Sequence, residues 1–339
     1  MKPALLPILV VVLGQNAICG PKHEPQPENA TVGVLRAFED HDVVMVGEIH
    51  SNKEEYNWYV SLIRTPEFAD RVDDIVLEMG NSLYQQFVDS YVAGENVRFE
   101  QVQKAWRNTV GLIGPQSPLV ESLYGAVRET NMRRRGKHQM RIVCGDPAID
   151  WDIVNDINTV NLYSSRREEW YAHVVQEQVL AKHHRALLIM GGMHFLRNSG
   201  KPSPNPSIEA KLRKRRARTY VIVAGTNTPN DCCETDHRFD SWLAPSVVSA
   251  HGWVGELAAR SLLEGGYPNS KPKLKDGADA FLYLGPRDSL TFVSMTRTQL
   301  QGTTYGKEIE RRLKIEMILQ PDEAPLFPET EEQPQFPRP

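Results

Sequence analysis

Cysteine is scarce in this sequence, and the few cysteines present are not spaced for metal binding. Four of the 339 residues are cysteine, and none has a CxxC partner or zinc-finger spacing. Cys19 lies in an N-terminal apolar segment, which leaves an odd number in Cys144, Cys232 and Cys233. Adjacent cysteines bond each other only with local strain, so a bond from one of that pair to Cys144 stays open. We interpret the cysteines as structural or incidental.

A strong excess of one charge is also missing. Lys and Arg number 39 against 43 Asp and Glu, for a formal net charge of −4. A protein that neutralises many phosphates usually carries a basic stripe, so we expect no nucleic-acid partner. The exception is the basic run Lys211–Arg218. We interpret it as a solvated helix end before a strand, with an anion-binding or membrane-surface patch as the alternative.

No apolar run is long enough to cross a bilayer. The longest N-terminal stretch, Ala4–Leu13, falls short of the roughly 20 apolar residues that a spanning helix needs. Following Lys2 and preceding small residues, it predicts a signal peptide over residues 1–19 and an exported protein, periplasmic or extracellular. A lipoprotein acylated at Cys19 fits less well, because Asn16 and Ile18 suit such a site poorly. A buried N-terminal strand is the other alternative.

The sequence has no internal repeat, and its pattern indicates one folded domain. We predict a leader and first helix over 20–40, a single α/β domain over 41–320 with a helical insertion at about 83–134, and a disordered tail rich in Pro and Glu over 321–339. No signal for an oligomeric state is present.

Short apolar runs alternate with longer amphipathic ones through that domain. Most of the short runs are unbroken, as in parallel strands covered on both faces, so we predict an α/β fold with a mainly parallel sheet flanked by helices and a helical insertion near its active-site edge. The predicted strands are Val43–Val46, Ile75–Glu78, Arg141–Cys144, Ala186–Met190, Thr219–Ala224 and Ala280–Leu284. The predicted helices are Lys53–Arg64, Leu83–Val92, Phe99–Arg107, Leu119–Arg134, Asp156–Leu180 and Ile208–Arg216.

Ionisable side chains follow four of these strands. Glu48 and His50 follow the first, Glu78 ends the second, Asp146 follows the third and His194 the fourth. Carboxyl ends of parallel strands meet at one edge of a sheet, where α/β proteins bind ligands. One such residue alone is usually a loop charge, but four at equivalent positions favour a shared site. We therefore predict one crevice lined by Glu48, His50, Glu78 and His194, with Asp146 at its rim.

The chemistry of this residue set is acid–base or metal chemistry. Neither GxSxG nor HExxH occurs, which argues against a serine nucleophile elbow and a zincin helix. We expect Glu48 or His50 to accept a proton from water, and His194 to donate to the leaving group or the oxyanion. Glu78 is expected to orient a histidine, and crowding of the carboxylates to raise one pKa.

The motifs Gly47-Glu48-Ile49-His50, Glu78 and Gly191-Gly192-Met193-His194 resemble the erythromycin-esterase-like and ChaN-like superfamily, which includes TIKI-type proteases. The resemblance covers roughly Val43 to Gly285. It implies catalysis by Glu48, His50, Glu78 and His194, with weaker support for Asp146. The implied function is an exported hydrolase that cleaves an ester, lactone or amide of a small-molecule or peptide substrate.

Cofactors stay open at this stage. One alternative is a metal site, in which Glu48, His50, Glu78 and His194 hold Zn²⁺ or Mn²⁺. Another, implied by the resemblance, is a haem-binding protein of iron uptake with His50 as the ligand. No cofactor is established by the sequence.

Three further positions receive an ordinary interpretation. Asp279 precedes the last predicted strand and is expected at the opposite edge of the sheet. His184 precedes a strand and is read as a helix-end residue. Arg107, beside Trp106, either covers the site or lies along a core tryptophan.

Overall fold

The computed structural model of the protein describes residues 24–111, 117–197, 206–227, 236–257 and 273–318. The described residues do not include the predicted signal peptide, the predicted C-terminal tail, Cys232 or Cys233. The signal peptide, the disordered tail and the pairing of these cysteines stay predictions. Cys144 is a buried free thiol. Among the described helices, none is both long and apolar enough to cross a membrane.

Helices and strands alternate along the chain. The strands are β1 Glu28–Asn29, β2 Val43–Glu48, β3 Asp74–Asn81, β4 Arg141–Asp146, β5 Ala186–Gly191, β6 Thr219–Gly225, β7 Ser246–Ser249 and β8 Ala280–Tyr283. The α-helices are α1 Ala30–Asp40, α2 Lys53–Ile63, α3 Pro66–Arg71, α4 Gln85–Val92, α5 Phe99–Arg107, α6 Leu119–Arg133, α7 Ile157–Ser164, α8 Arg167–Gln178, α9 Ile208–Lys214, α10 Leu274–Gly277, α11 Arg297–Leu300 and α12 Thr304–Ile315.

The described strands form one sheet in the order β1-β7-β8-β6-β2-β5-β3-β4. The five pairs from β8 to β4 are parallel, and the edge pairs β7 with β8 and β1 with β7 are antiparallel. This confirms the predicted α/β fold with a mainly parallel sheet, and all six predicted strands are present. β2 lies at the centre of the sheet beside β5, so the residues that leave these two strands emerge together.

The apolar core lies on both faces of the sheet, as unbroken apolar strands require. On one face, residues such as Val44 and Val46 pack against helices α1 to α6. On the other, Val43 and Met45 pack against α8 and α9. A smaller third cluster around Trp151 fills the space below the loop after β4. Polar side chains are therefore found mainly at the two ends of the strands, which we call the carboxyl and amino edges of the sheet.

One predicted helix was wrong in a way that matters for function. Asp156–Leu180 is not continuous: α7 ends at Ser164 and α8 begins at Arg167. Ser165, between the two helices, disfavours a continuous helix because its hydroxyl can form hydrogen bonds with the nearby backbone. The break places Arg167 and Glu168 in the first turn of α8.

The short antiparallel edge strands were not predicted from the sequence. β7 contains only four residues, and β1 only two. Such segments carry too few side chains to set up an alternating or continuous apolar pattern. Three helices, α4 to α6, lie between β3 and β4.

Candidate active site

Glu48 is the last residue of β2 and is paired in register with Gly191 of β5. Its side chain is buried, and Oε1 accepts a hydrogen bond from His50 Nδ1 at 2.8 Å. The other oxygen, Oε2, is also buried. The buried phenol of Tyr56 borders this carboxylate, and burial, followed by the charge of Glu48 and a hydrogen bond with it, raises the pKa of Tyr56 well above the usual value. One carboxylate oxygen of Glu48 is therefore held by His50, and the other has the Tyr56 phenol as its polar neighbour.

A buried glutamate on α2 fixes the short link between Glu48 and His50. The Ile49 amide donates to Glu55 Oε2 at 2.8 Å, and Tyr59 donates its hydroxyl to Glu55 Oε1 at 2.6 Å. Burial raises the pKa of Glu55 to about 8, with a further contribution from the charge of Glu48. The backbone that carries both site residues is thus tied to the following helix.

Glu78 occupies the centre of the cluster. Its Oε2 accepts from the Gly191 amide at 2.7 Å and lies 3.9 Å from His50 Nε2. Its Oε1 lies 3.4 Å from His194 Nε2 and accepts from Arg167 Nη2 at 3.2 Å. Each imidazole therefore turns its Nε2 towards a different oxygen of one carboxylate.

His194 repeats the arrangement of His50 from the other side. It ends a short 3-10 turn after β5, and its Nδ1 lies 2.9 Å from Glu168 Oε1. The ring meets Tyr171 edge-on, with the ring centres 5.2 Å apart. Because Nδ1 is engaged by its own carboxylate in both histidines, Nε2 is the nitrogen that faces the centre.

Asp146 is linked to this centre through Arg167. It is fully buried at the end of β4, and its Oδ2 accepts from the Val110 amide at 2.5 Å. Its Oδ1 accepts from Arg167 Nη2 at 2.8 Å and from the Tyr171 hydroxyl at 2.7 Å. With both oxygens engaged, Asp146 positions Arg167 and leaves no oxygen for a substrate.

The protonation of the two histidines follows from their neighbours. Burial alone lowers the pKa of His50, but the hydrogen bond and charge of Glu48 with the charge of Glu78 outweigh it and raise the pKa to about 9. For His194, burial is likewise outweighed by Glu78 and Glu168, and the pKa rises to about 10. Although burial favours its neutral form, Glu78 has its pKa held well below the usual value by His194, Arg167 and His50. Both imidazoles are therefore cations at neutral pH.

Gly191 keeps the centre open. A Cβ at this position would lie 3.0 Å from His50 Nε2 and 3.5 Å from Glu78 Oε2. Any side chain would enter the space that these two polar atoms face.

Three donors in this space are close enough to share a metal ion. Glu48, His50 and Glu78 each offer one ligand atom, and these atoms lie within 4.8 Å of one another. His194 is not part of this group of described residues, although the metal prediction included it. The buried second oxygen of Glu48 and the space beside Gly191 make the three residues a fit for a divalent cation that takes nitrogen and oxygen ligands.

The structure brings Glu48, His50, Glu78 and His194 together at the carboxyl edge of the sheet, as the strand-end pattern predicts. Asp146 joins their network through Arg167. Their roles in catalysis or metal binding stay predictions.

Three further residues that the sequence analysis considered, Asp279, His184 and Arg107, do not line the candidate site. Asp279 lies directly before β8, at the opposite edge, where Arg197 binds it. His184 also lies at that edge, bonded to Asp74. Arg107 does not cover the site; its guanidinium lies over the Tyr305 ring.

The sequence pattern does not single out several residues of the network. Arg167, Glu168 and Tyr171 fall inside the predicted helix Asp156–Leu180, and Glu55 falls inside the predicted helix Lys53–Arg64. The pair Ser164-Ser165, which Arg166 separates from Arg167, was the available signal, because serine favours helix caps and turns over helix interiors.

Comparisons with known proteins identify the fold and no more. No protein-family model and no curated protein matches the chain. A crystal structure of a succinoglycan biosynthesis protein is similar at 10% identity over 80% of this chain and 96% of its own, with a TM-score of 0.51. The erythromycin esterase EreC in an open conformation is 11% identical over 78% and 94%, with a TM-score of 0.47.

ChaN of Campylobacter jejuni with cofacially bound haem is 11% identical over 74% of this chain and 89% of its own, with a TM-score of 0.33. At 10% identity, the similarity to the succinoglycan biosynthesis protein shows a shared fold alone.

Proposed function

We propose that the protein is a hydrolase in which the Glu48 carboxylate activates water for attack on a carbonyl carbon. The observation that carries the proposal is the state of Glu48: one oxygen is held by His50, and the other is buried with the Tyr56 phenol as its polar neighbour. A carboxylate within hydrogen-bond reach of a water can accept its proton.

The charges of the two histidines assign them the donor role. Because the pKa values of His50 and His194 lie at about 9 and about 10, neither imidazole is free to accept a proton near neutrality. His50 Nε2 lies beyond hydrogen-bond distance of Glu78, so its N–H is available to the oxyanion of the tetrahedral intermediate. Between the two initial candidates for the base, this favours Glu48 over His50.

The reaction divides among the residues as follows. Glu48 takes one proton as the water oxygen bonds to the carbonyl carbon. The oxyanion receives a hydrogen bond from His50 Nε2, and the proton that Glu48 took from water passes to the leaving oxygen or nitrogen as its bond to carbon breaks. Glu78 holds both histidines in their charged form.

Charge balance supports a neutral substrate. The four carboxylates Glu48, Glu78, Asp146 and Glu168 face the three cations His50, His194 and Arg167, so the cluster offers no surplus positive charge to an anion. An ester, lactone or amide fits this site, in a small molecule or a peptide.

The test is a screen of esters, lactones and peptides with the wild type, Glu48→Gln and Glu121→Gln. Glu121 is an exposed glutamate on α6 and serves as the matched control. We expect Glu48→Gln to lower turnover by roughly 10²- to 10⁴-fold, the usual contribution of a general base, and the control to match the wild type. Wild-type turnover by Glu48→Gln would overturn the proposal.

A second candidate is metal-assisted hydrolysis, favoured by the grouping of Glu48, His50 and Glu78. These residues would hold Zn²⁺ or Mn²⁺, which would lower the pKa of a bound water and polarise a carbonyl. Metal analysis of protein purified without a His-tag, combined with full chelation, distinguishes the candidates. Activity that survives complete removal of metal excludes the metal route.

The haem alternative has less support from the site. Both ring nitrogens of His50 face carboxylates, with Nδ1 at 2.8 Å from Glu48 and Nε2 at 3.9 Å from Glu78. An iron bound at Nε2 would displace the Glu78 contact. A Soret change on haemin titration that disappears in His50→Ala would establish this alternative, and its absence would remove it.

A further inference from the structure

A cavity of about 610 Å³ lies between helices α5 and α12 and shares no residue with the candidate active site. We call it the α5–α12 groove. Its charged lining residues include Glu100, Lys104, Arg107, Asp152, Glu308 and Arg312. Five cationic and three anionic side chains line it, although the whole chain carries a net charge of −4. The groove is thus a positive region on an otherwise acidic protein.

The floor of the groove is a buried cation. Arg312 is only 1% exposed, and it donates to Glu308 Oε1, to the Arg107 carbonyl and to Asn108 Oδ1 at 2.7 to 2.8 Å. Burial lowers its pKa in spite of Glu308 beside it. An anion in the groove would supply the solvation that burial has removed from this charge.

The wall of the groove carries cations with little or no compensation. The Arg107 guanidinium lies 4.6 Å from the Tyr305 ring centre and makes no hydrogen bond or ion pair with another side chain among the described residues. Lys104, three residues earlier on the same helix face, lies 3.9 Å from the largely exposed Asp152 carboxylate. Both positive groups are therefore available to a ligand.

The acid at the far wall does not cancel them. Glu308 accepts from Arg311 at 2.7 Å and from Arg312 at 2.7 Å, so its charge is already matched. The remaining acids of the lining are Glu100 and Asp152, and the exposed Asp152 carboxylate lies 3.9 Å from Lys104.

We infer that the α5–α12 groove binds a small phosphate-bearing molecule, with Arg107 and Lys104 on the phosphate. A guanidinium fork binds two oxygens of a phosphate in parallel, and a lysine adds a point charge. Two cations on one helix face suit a dianion better than a single carboxylate. The cavity is much larger than a phosphate ion, and the Tyr305 ring and the side-chain stems supply apolar surface for the rest of a phosphate monoester.

This site is independent of the proposed hydrolase, but it adjoins the same network. Asn108 at the groove floor precedes by two residues Val110, whose amide donates to Asp146. The Asn108 carbonyl accepts from Asn81 at the end of β3. Amide signals of Asn108 and Val110 are therefore natural reporters of occupancy.

The test uses the full chain at low ionic strength, titrated with inorganic phosphate and, separately, with glycerol phosphate. Calorimetry gives the affinity, and NMR shifts of the Asn108 and Val110 amides give the location. We expect saturable binding with shifts at both amides. Tighter binding of glycerol phosphate would identify a phosphate monoester as the ligand, and equal binding would identify free phosphate. No saturable binding of either probe would overturn the inference.

Variants make the assignment specific. Arg107→Gln is expected to weaken binding about ten- to a hundredfold, in line with loss of hydrogen bonds to a charged group, and Lys104→Gln to weaken it less. Arg133→Gln, which removes an exposed arginine from α6, should bind as the wild type does. Since Lys104 is half exposed, its variant provides a second measure if Arg107→Gln unfolds more easily. Wild-type affinity in both groove variants would contradict the assignment.

Discussion

The two edges of the sheet each carry a buried carboxylate bonded to an imidazole, yet they differ in what surrounds the pair. At the carboxyl edge, His50 Nδ1 lies 2.8 Å from Glu48. At the amino edge, His184 Nδ1 lies 2.7 Å from Asp74, a fully buried residue that begins β3. By distance and burial alone the two pairs are alike.

The two pairs differ in the number of ionisable side chains that meet there and in whether open space remains beside them. The Asp74 pair ties the start of β3 to the segment before β5, and its other near neighbour is Arg141 at 3.5 Å, a residue of the adjacent strand. The Glu48 pair instead meets a second imidazole, a shared carboxylate and the space that Gly191 leaves free. An acid–imidazole pair by itself therefore indicates only a structural role. A functional role also requires a second ionisable group that faces the same open space.

The largest expected contrast comes from removing one charge at each edge. Glu78→Gln should lower turnover by roughly 10²- to 10⁴-fold, because it removes the carboxylate that keeps both histidines charged. Asp74→Asn should leave turnover per folded molecule unchanged and lower the free energy of unfolding by about 1–3 kcal/mol, through loss of a charged hydrogen bond. Kinetics and chemical denaturation of both variants measure the contrast. Equal loss of turnover in the two would erase the functional distinction between the edges.

A smaller effect is expected from the carboxylate behind His194. Glu168→Gln should lower turnover by about 10- to 100-fold, as loss of a supporting partner does at such sites. Without the charge of Glu168 the pKa of His194 falls from about 10, so the alkaline limb of the pH–rate profile should move to lower pH. An unmoved limb together with lowered turnover would mean that Glu168 supports only the fold.

Gly191→Ala tests the open space, with Gly125→Ala as its control. The added methyl would lie 3.0 Å from His50 Nε2, and a displacement of this kind is expected to lower turnover by about tenfold. A Cβ at Gly125, inside α6, meets no atom within 4 Å, and that change should raise stability by roughly 0.5–1 kcal/mol without affecting turnover. Full activity of Gly191→Ala would show that the space is not used.

The smallest expected effect is a decrease in the free energy of unfolding as the pH rises. Raised pKa values for His50 and His194 mean that the folded state binds more protons than the unfolded state above pH 6.5. Their contribution is complete below that pH and should be lost as pH rises through about 9 to 10. Denaturation between pH 6 and 10 should show the decline in the wild type and a shallower one in His194→Ala. An equal slope in the wild type and His194→Ala would contradict the assignment.

The edge that matters could be predicted from the sequence because strand ends are marked by a change of residue type. Unbroken apolar runs stop at Glu48 and Glu78, and parallel strands bring such stops together. The same pattern could not reveal which groups support them. Glu55 and Glu168 reach the site from helices whose rotation depends on tertiary packing, and Arg167 depends on a helix break between α7 and α8.

The sequence pattern also left the proton positions undecided between Glu48 and His50. That choice depends on how many carboxylates surround each imidazole, a property of the folded arrangement. Two acids face each histidine, and only the structure brings Glu168 beside His194 and Glu78 between the rings.

The protonation of His50 and His194 in metal-free protein tests the central claim most directly, and it requires no known substrate. NMR titration of the imidazole nitrogens should show both rings protonated through pH 8, with pKa values of about 9 and about 10. This result would leave Glu48 as the base of the site. A midpoint near 6.5 for either ring would restore a neutral histidine at neutral pH and contradict the account.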